Sequence, residues 1–108
     1  MQVFSTRAYE RAIRKLLGEE ARREMEDAIV AAPDAAPVIR GTGGIRKLRW
    51  AGSGRGKRGG IRTIYFYHAN PTAIYLLTAY AKADRDDLTP ADTRTLLRLV
   101  AAIKKGTM

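Results

Sequence analysis

The chain has 108 residues, which allows one small domain, residues 1–108, with one modest hydrophobic core. It contains no cysteine and a single histidine, which excludes disulfides, thiolate nucleophiles, cysteine-based zinc sites and two-histidine metal sites. We therefore expect neither a metal nor a cofactor. No stretch approaches the roughly 20 apolar residues of a membrane-spanning helix, and the N-terminus lacks a secretory pattern. These features predict a cytoplasmic protein without a membrane partner.

The formal net charge of +9 is concentrated in the middle of the sequence. Residues 35–83 contain nine basic and no acidic residues, whereas the segments on either side are almost neutral. An uncompensated cationic block attracts a polyanion, while a merely solvated surface usually interleaves Asp and Glu. The block is strand-like, which disfavours a membrane surface. It therefore predicts RNA binding.

Hydrophobic spacing predicts an α+β fold with seven elements. A short strand at 3–5 precedes two helices, one capped by Ser5 or Thr6 and ending at Gly18, the other over 19–32. Alternating, β-branched and apolar runs predict strands at 45–50, 61–68 and 74–81, with short links typical of an antiparallel meander. A last helix follows Thr89, with Pro90 and Asp92 in the arrangement of a capping box, and ends at Gly106.

Two motifs match a known site only superficially. Residues 54–59 fit G-x-G-x-x-G, but a strand follows them, and the dinucleotide motif requires a helix. A Walker A motif fails as well, so we interpret the loop as a cationic hairpin tip or, more simply, a charged soluble hairpin. Asp84, Asp86 and Asp87 lack the glycine turn and distal glutamate of a calcium loop, and we expect them to border the basic groove or face solvent. His68, at a strand end, is more often structural than catalytic.

Strand parity groups the basic residues of the sheet. Lys47 and Arg49 share one face, as do Tyr80 and Lys82. Arg62 shares parity with residues 64 and 66, which resemble core positions. Either this strand is buried on both faces, or a bulge near residues 59–60 re-aims Arg62.

Three segments, residues 41–50 (GTGGIRKLRW), 56–67 (GKRGGIRTIYFY) and 76–89 (LLTAYAKADRDDLT), resemble the RelE/HigB toxins of bacterial type II toxin–antitoxin systems. The resemblance covers nearly the whole chain and is closest to the HigB-like branch. It implies a RelE-like α+β fold, with an N-terminal helical hairpin on one face of a small antiparallel sheet and a C-terminal helix. It also implies a ribosome-dependent endoribonuclease that cuts translated mRNA, and a neutralising HigA-like antitoxin.

The resemblance implies that Lys47 and Arg49 contact phosphates, that Arg62 is the central-strand arginine and that Lys82 is the basic residue after the last strand. The other candidates follow from the charge and position of the residues themselves, with Tyr80 placed to hold a base or the substrate. The catalytic candidates are Arg62, Lys82 and Tyr80. The RNA-binding candidates are Lys47, Arg49, Arg46, Arg55, Lys57 and Arg58. Arginine suits the crowded phosphoryl oxygens because its planar guanidinium donates in a fork.

The general base is left open by the sequence. Several relatives use a C-terminal Tyr or His, but no aromatic residue or histidine follows Tyr80 here. Lys82 is a candidate base if neighbouring cations lower its pKa. Trp50, Tyr65 and Tyr67 are candidates for stacking on a base, although core packing explains Trp50 better.

Two other functions fit the same charge block. One is a non-catalytic RNA- or ribosome-binding module, which the missing C-terminal acid–base residue favours. The other is a structural partner whose basic face docks an acidic protein. Salt-dependent RNA binding without cleavage would identify the first, and failure to bind any RNA would favour the second.

Overall fold

A computed structural model describes residues 1–51, 60–69, 71–85 and 87–106. The elements are β1 (Gln2–Ser5), α1 (Arg7–Leu16), α2 (Glu19–Ala31), β2 (Ile45–Trp50), β3 (Ile61–Ala69), β4 (Thr72–Ala81) and α3 (Pro90–Lys105). All predicted elements are present in the predicted order. The α+β class is confirmed.

The strands form one sheet in the order β1-β4-β3-β2. β2, β3 and β4 are the predicted antiparallel meander, and β1 adds a parallel edge strand beside β4. The direction of β1 was not predictable locally, because its partner lies far along the chain. Thr6 joins this edge to α1: its hydroxyl donates to the Leu77 carbonyl (2.6 Å) and accepts from the Tyr9 amide (3.0 Å).

The face of the sheet that carries α1 and α2 is called the hairpin face. α1 begins at the Thr6 cap, and its Tyr9 and Ile13 are fully buried at the helical spacing of four. Met25 and Ile29 repeat this spacing on α2. The cluster on this face comprises Tyr9, Ile13, Leu17, Met25, Ile29, Ala36, Ile61, Tyr65, Ile74, Leu76 and Ala79.

The opposite face of the sheet carries α3 and is called the α3 face. The predicted capping box is present: the Thr89 hydroxyl accepts from the Asp92 amide (3.1 Å), and the Asp92 carboxylate accepts from the Thr89 amide (3.1 Å). Gly106 ends the helix at a positive φ of 73°. The cluster beneath α3 comprises Ile45, Ile64, Phe66, Leu77, Tyr80, Leu96, Val100 and Ile103.

A β-bulge determines which side chains of β4 lie on each face. Ile64 pairs with Thr78, but Tyr65 pairs with Leu76, so Leu77 is an extra residue in β4. Ile74 and Leu76 lie on the hairpin face, whereas Leu77 and, beyond it, Tyr80 lie on the α3 face. β3 is buried on both faces from Ile61 to Phe66. Of the two alternatives for Arg62, burial of the strand on both faces is confirmed.

Candidate functional site

Three polar side chains stand side by side on the α3 face, one on each of β2, β3 and β4. Arg62 of β3 pairs with Arg49 of β2 on one side and with Tyr80 of β4 on the other. Neighbouring strands are about 4.8 Å apart, so the three side chains project from adjacent positions on one face. We call these three residues the Arg–Arg–Tyr row. Lys47 projects from the same face, in the next row.

Arg62 is the buried charge of this row, with 6% of its surface exposed. One Nη1 hydrogen bond reaches the Ile61 carbonyl oxygen, at 3.4 Å. Arginine keeps its charge when it is buried, so a guanidinium here is a permanent cation at the centre of the sheet. Partial exclusion of water strengthens its attraction for an anion.

Tyr80 is the second buried member, and its hydroxyl is unusual. Among the described residues, its Oη is the one buried side-chain nitrogen or oxygen without a hydrogen bond of regular geometry, and the Asp87 carboxylate is the polar group that faces it. Burial raises the pKa of the phenol, and the Asp87 carboxylate raises it further, against the opposing charges of Arg62 and Arg85. Tyr80 is therefore a neutral phenol at physiological pH, and its O–H can donate a hydrogen bond to a ligand.

The connection between β4 and α3 lies along the rim of the row. The Arg85 guanidinium lies 5.1 Å from the centre of the Tyr80 ring, and its Nη1 donates to Asp92 Oδ2 at 2.7 Å. Asp87 accepts a hydrogen bond from the Leu88 amide (2.8 Å), which is the main reason that its pKa is lowered. Its Oδ1 also lies 3.4 Å from Lys47 Nζ. Asp87 therefore borders the basic groove, as expected.

Of the two basic residues that follow β4, the sequence predicts one as a site residue and misses the other. Lys82 was predicted, and its amide extends the ladder by one hydrogen bond, to the Gly60 carbonyl at 3.1 Å. Arg85 was not predicted. Its contact depends on the turn after β4 and on an acid at the start of α3, and no local pattern indicates this pairing.

Arg46 does not join the row, although it is one of the RNA-binding candidates. It lies on the hairpin face, where its Nη1 donates to the carbonyl oxygens of Asp34 (3.0 Å) and Ala36 (2.7 Å). These contacts tie the segment after α2 to the sheet. Arg55, Lys57 and Arg58 lie outside the described residues.

Histidine and the aromatic candidates also lie away from the row. His68 is six residues from Arg62 along β3, about 20 Å at strand spacing, and its Nδ1 is 3.0 Å from the Pro71 carbonyl oxygen. Tyr65 belongs to the hairpin-face core, and Trp50 and Tyr67 pack against it. The packing interpretation of Trp50 agrees with this position.

The described residues show two further absences. They contain no group of three or more histidine or acidic side chains that could hold a metal ion. None of their helices has the length and apolar character that crossing a membrane requires.

Comparison with solved structures shows the same fold in a bacterial toxin. An arginine double mutant of the E. coli toxin RelE in the free state superposes with a TM-score of 0.56 at 13% identity, covering 92% of this chain and 95% of that one. The isolated E. coli RelE toxin superposes with a TM-score of 0.50 at 15% identity, covering 91% and 97%. The α+β fold, with its sheet and C-terminal helix, is therefore that of RelE.

A family model extends this likeness from fold to family. The model described as the RelE toxin of the RelE/RelB toxin–antitoxin system matches residues 1–107. The match covers all seven elements and the whole Arg–Arg–Tyr row. The chain belongs to the RelE toxin family.

Proposed function

We propose that this protein is a ribosome-dependent endoribonuclease that cleaves translated mRNA and so stops growth. The observation that carries the proposal is the Arg–Arg–Tyr row: a buried guanidinium, a buried neutral phenol and an exposed arginine, adjacent on one face of the sheet. The toxin family supports the same activity. We further propose a HigB-like member, located in the cytoplasm and neutralised by a HigA-like antitoxin.

The chemistry that the row supports is transfer within RNA. The 2′-oxygen of a ribose attacks the adjacent phosphorus and loses its proton, while the bond from phosphorus to the 5′-oxygen breaks. Charge accumulates on the non-bridging oxygens, where the fork of Arg62 donates. The leaving 5′-oxygen takes up a proton, and the Tyr80 hydroxyl is the proposed donor. The products are a 2′,3′-cyclic phosphate and a free 5′-hydroxyl.

The remaining cations are assigned to binding. Arg49 is exposed, and the contact of Lys47 with Asp87 is long, at 3.4 Å, so both can contact phosphates on either side of the cleaved bond. Lys82 stays the proposed base; it follows the last residue of β4, two residues after Tyr80. Arg55, Lys57 and Arg58 remain proposed RNA contacts on sequence grounds alone.

The test is a paired induction in growing cells. Wild type and a double variant, Arg62→Ala with Lys82→Ala, are induced, and growth and the integrity of one abundant translated mRNA are followed. We expect wild type to arrest growth and fragment the message, and the double variant to do neither. Arrest with intact mRNA would contradict the nuclease. An Arg46→Ala variant is the matched control, because it removes a cation from the same block on the other face.

The antitoxin is tested separately by its gene. A small open reading frame should lie beside this one, and coexpression of its product should restore growth. The row is cationic, so its inhibitor should present acidic side chains to it.

The second candidate, a non-catalytic RNA- or ribosome-binding module, is favoured by a specific feature. No aromatic residue or histidine follows Tyr80, so α3 supplies no acid–base side chain of those types. Strongly salt-dependent binding to ribosomes without cleavage would support this function over the nuclease.

A further inference from the structure

The helical hairpin appears neutral in sequence but is strongly polarised in space. α1 carries four basic residues and one acidic residue, whereas α2 carries five acidic and two basic residues. The near-neutral charge of the N-terminal segment therefore conceals one cationic helix and one anionic helix.

The single acid of α1 is neutralised from α2. The Glu10 carboxylate is 2.6 Å from Arg22 Nη2, and it also accepts a 2.6 Å hydrogen bond from the Ser5 hydroxyl. Both contacts lower the pKa of Glu10, and the hydrogen bond from Arg22 lowers it most. Arg22 in turn binds Glu26, at 2.8 Å. Arg22 of α2 therefore cancels the charge of Glu10, the single acid of α1. The four basic residues of α1 are left in excess.

Three arginines of α1 form a stripe. Arg7, Arg11 and Arg14 fall within an arc of about 60° on a helix of 3.6 residues per turn, and all three are exposed. Within the described part of the chain, Arg7 and Arg11 form no ion pair, and the contact of Arg14 with Glu10 is long, at 3.8 Å, with 75% of the Arg14 side chain exposed. The three residues also line an open depression of about 490 Å³ together with Ser5, Thr6 and Glu10.

The position of the stripe separates it from the Arg–Arg–Tyr row. α1 packs on the hairpin face, and the row lies on the α3 face. The first turn of α1 approaches the rim of the row, because Thr6 and Ala8 line one depression with Arg85 and Asp92. Arg11 and Arg14 follow one and two turns later along α1.

We propose that Arg7, Arg11 and Arg14 form a second RNA-contacting surface, which binds the backbone of folded RNA on the side of the molecule away from the row. This proposal rests on the proposed ribosome-dependent function and specifies it. Fork-shaped donors in excess of their acids match phosphates. Insertion of α1 into a membrane is excluded by its apolar residues, because Tyr9 and Ile13 are fully buried in the core.

The two cationic surfaces lie on opposite sides of the sheet, and this arrangement has a geometric consequence. α3 adds exposed Arg94, Arg98 and Lys105 on the side of the row. RNA that contacts both surfaces at once must reach around the edge of the sheet, as a folded RNA does more readily than a short single strand. α2, with its acidic surface, would then face away from that RNA.

The test measures binding of the full chain to two probes over a range of salt concentrations. One probe is purified ribosomes carrying a 2′-O-methylated message, which lacks the nucleophile and stays intact. The other is a short 2′-O-methylated oligonucleotide that covers only the row. The test variant is Arg7→Gln with Arg11→Gln and Arg14→Gln.

The matched control is Arg23→Glu with Ala28→Glu, on the exposed surface of α2. Both variants lower the formal net charge of +9 by three, so they differ only in where the charge is lost. A third variant, with lysine at the three α1 positions, keeps the charge. Circular dichroism and thermal unfolding verify that all variants fold.

We expect the glutamine variant to bind ribosomes about tenfold more weakly or worse, with a log–log salt slope smaller by about two, and to bind the oligonucleotide as wild type does. The control should retain ribosome binding, and the lysine variant should recover most of it. Equal losses in the control and the glutamine variant would overturn the stripe and leave the nuclease intact. Wild type that binds the oligonucleotide but not ribosomes would overturn the ribosome dependence of the proposed function and the stripe with it. Wild type that binds neither probe would overturn the proposed function itself.

Discussion

The two faces of the sheet treat their polar side chains in opposite ways. On the hairpin face the Tyr65 hydroxyl donates to the Pro33 carbonyl at 2.7 Å, and the Tyr9 hydroxyl donates to Glu26 at 2.6 Å. On the α3 face, within the described residues, the buried Tyr80 hydroxyl has no hydrogen bond. The Arg46 guanidinium is bound to two carbonyls, while Arg49, three residues later on the other face, is exposed.

The contrast indicates what each face contributes. A buried donor without an acceptor costs free energy, about 1–3 kcal/mol, and natural proteins retain few of them. Satisfied groups hold the hairpin to the sheet and serve stability. The phenol and the nearby guanidinium contribute to the proposed site instead. The following variants test this division, from the largest expected effect to the smallest.

Arg62→Lys should have the largest effect, on activity. Lysine keeps the charge but loses the fork, and loss of a preorganised donor typically lowers a rate by about 100-fold or more. Cleavage of a programmed message on purified ribosomes measures this. The control is Arg46→Lys, on the hairpin face, which should cleave at the wild-type rate. Equal losses in both variants would break the division between the faces.

Tyr80→Phe and Tyr65→Phe should have opposite effects: the first should lower cleavage, and the second should lower stability. Tyr80→Phe removes an unsatisfied hydroxyl, so we expect unchanged or slightly higher stability and cleavage reduced about tenfold to 100-fold. Tyr65→Phe removes a satisfied hydroxyl and leaves the Pro33 carbonyl unpaired, so we expect a loss of about 1 kcal/mol in unfolding free energy and normal cleavage. Urea denaturation and single-turnover cleavage measure the two quantities. A stability loss in Tyr80→Phe as large as in Tyr65→Phe would contradict the comparison.

Alanine at two arginines of β2 separates the faces within one strand. Arg46→Ala should lower the unfolding free energy by about 1–2 kcal/mol, because its two carbonyl acceptors lose a charged donor. Arg49→Ala should change stability by less than about 0.5 kcal/mol and should weaken RNA binding. Denaturation midpoints and anisotropy titrations with labelled RNA test the pair. The prediction would be wrong if Arg49→Ala were the less stable variant.

Acid should weaken the hairpin slightly through Glu10. Its pKa is lowered below the ordinary value of 4.5, mainly by the hydrogen bond from Arg22. Because the folded-state pKa is depressed, this stabilisation is complete above pH 4.5 and is lost as the pH falls through the folded-state pKa. Glu10→Gln should therefore differ from wild type in unfolding free energy at neutral pH and converge with it in strong acid. A constant difference across that range would exclude Glu10 as the titrating group.

Most of the fold was predictable because its signals are local. The Thr89 cap, its capping-box partner Asp92, and Gly106 fix α3 from within the helix. The β2 bounds follow from alternation. The parallel partner of β1 depends instead on a distant segment, which no local pattern encodes.

The site was predictable only as a set of residues, not as an arrangement. Parity placed Lys47 with Arg49 and Tyr80 with Lys82. Counted along the whole of β4, however, parity gives the wrong face for residues after Leu77, because the bulge adds one residue there. The separation of Arg46 from the row follows from parity. Its two carbonyl acceptors were not predictable, because they depend on the path that the segment after α2 takes past β2. The polarity of the hairpin was hidden because charge was summed along the chain, and Glu10 and Arg22 cancel across two helices.

The extra residue at Leu77 means that the face on which Tyr80 lies depends on the bulge as well as on the count of residues. Counting by twos from Ile74 and Leu76 without the bulge would place Tyr80 on the hairpin face. Deletion of Leu77 would remove the extra residue together with the bulge, and Tyr80 would stay opposite Arg62 in a regular strand. In relatives of this chain, the segment between the first buried residue of β4 and the tyrosine should therefore have either the present length with a bulge or one residue fewer without it. A relative with the present length and a regular β4 would be expected to keep the fold and lose the site.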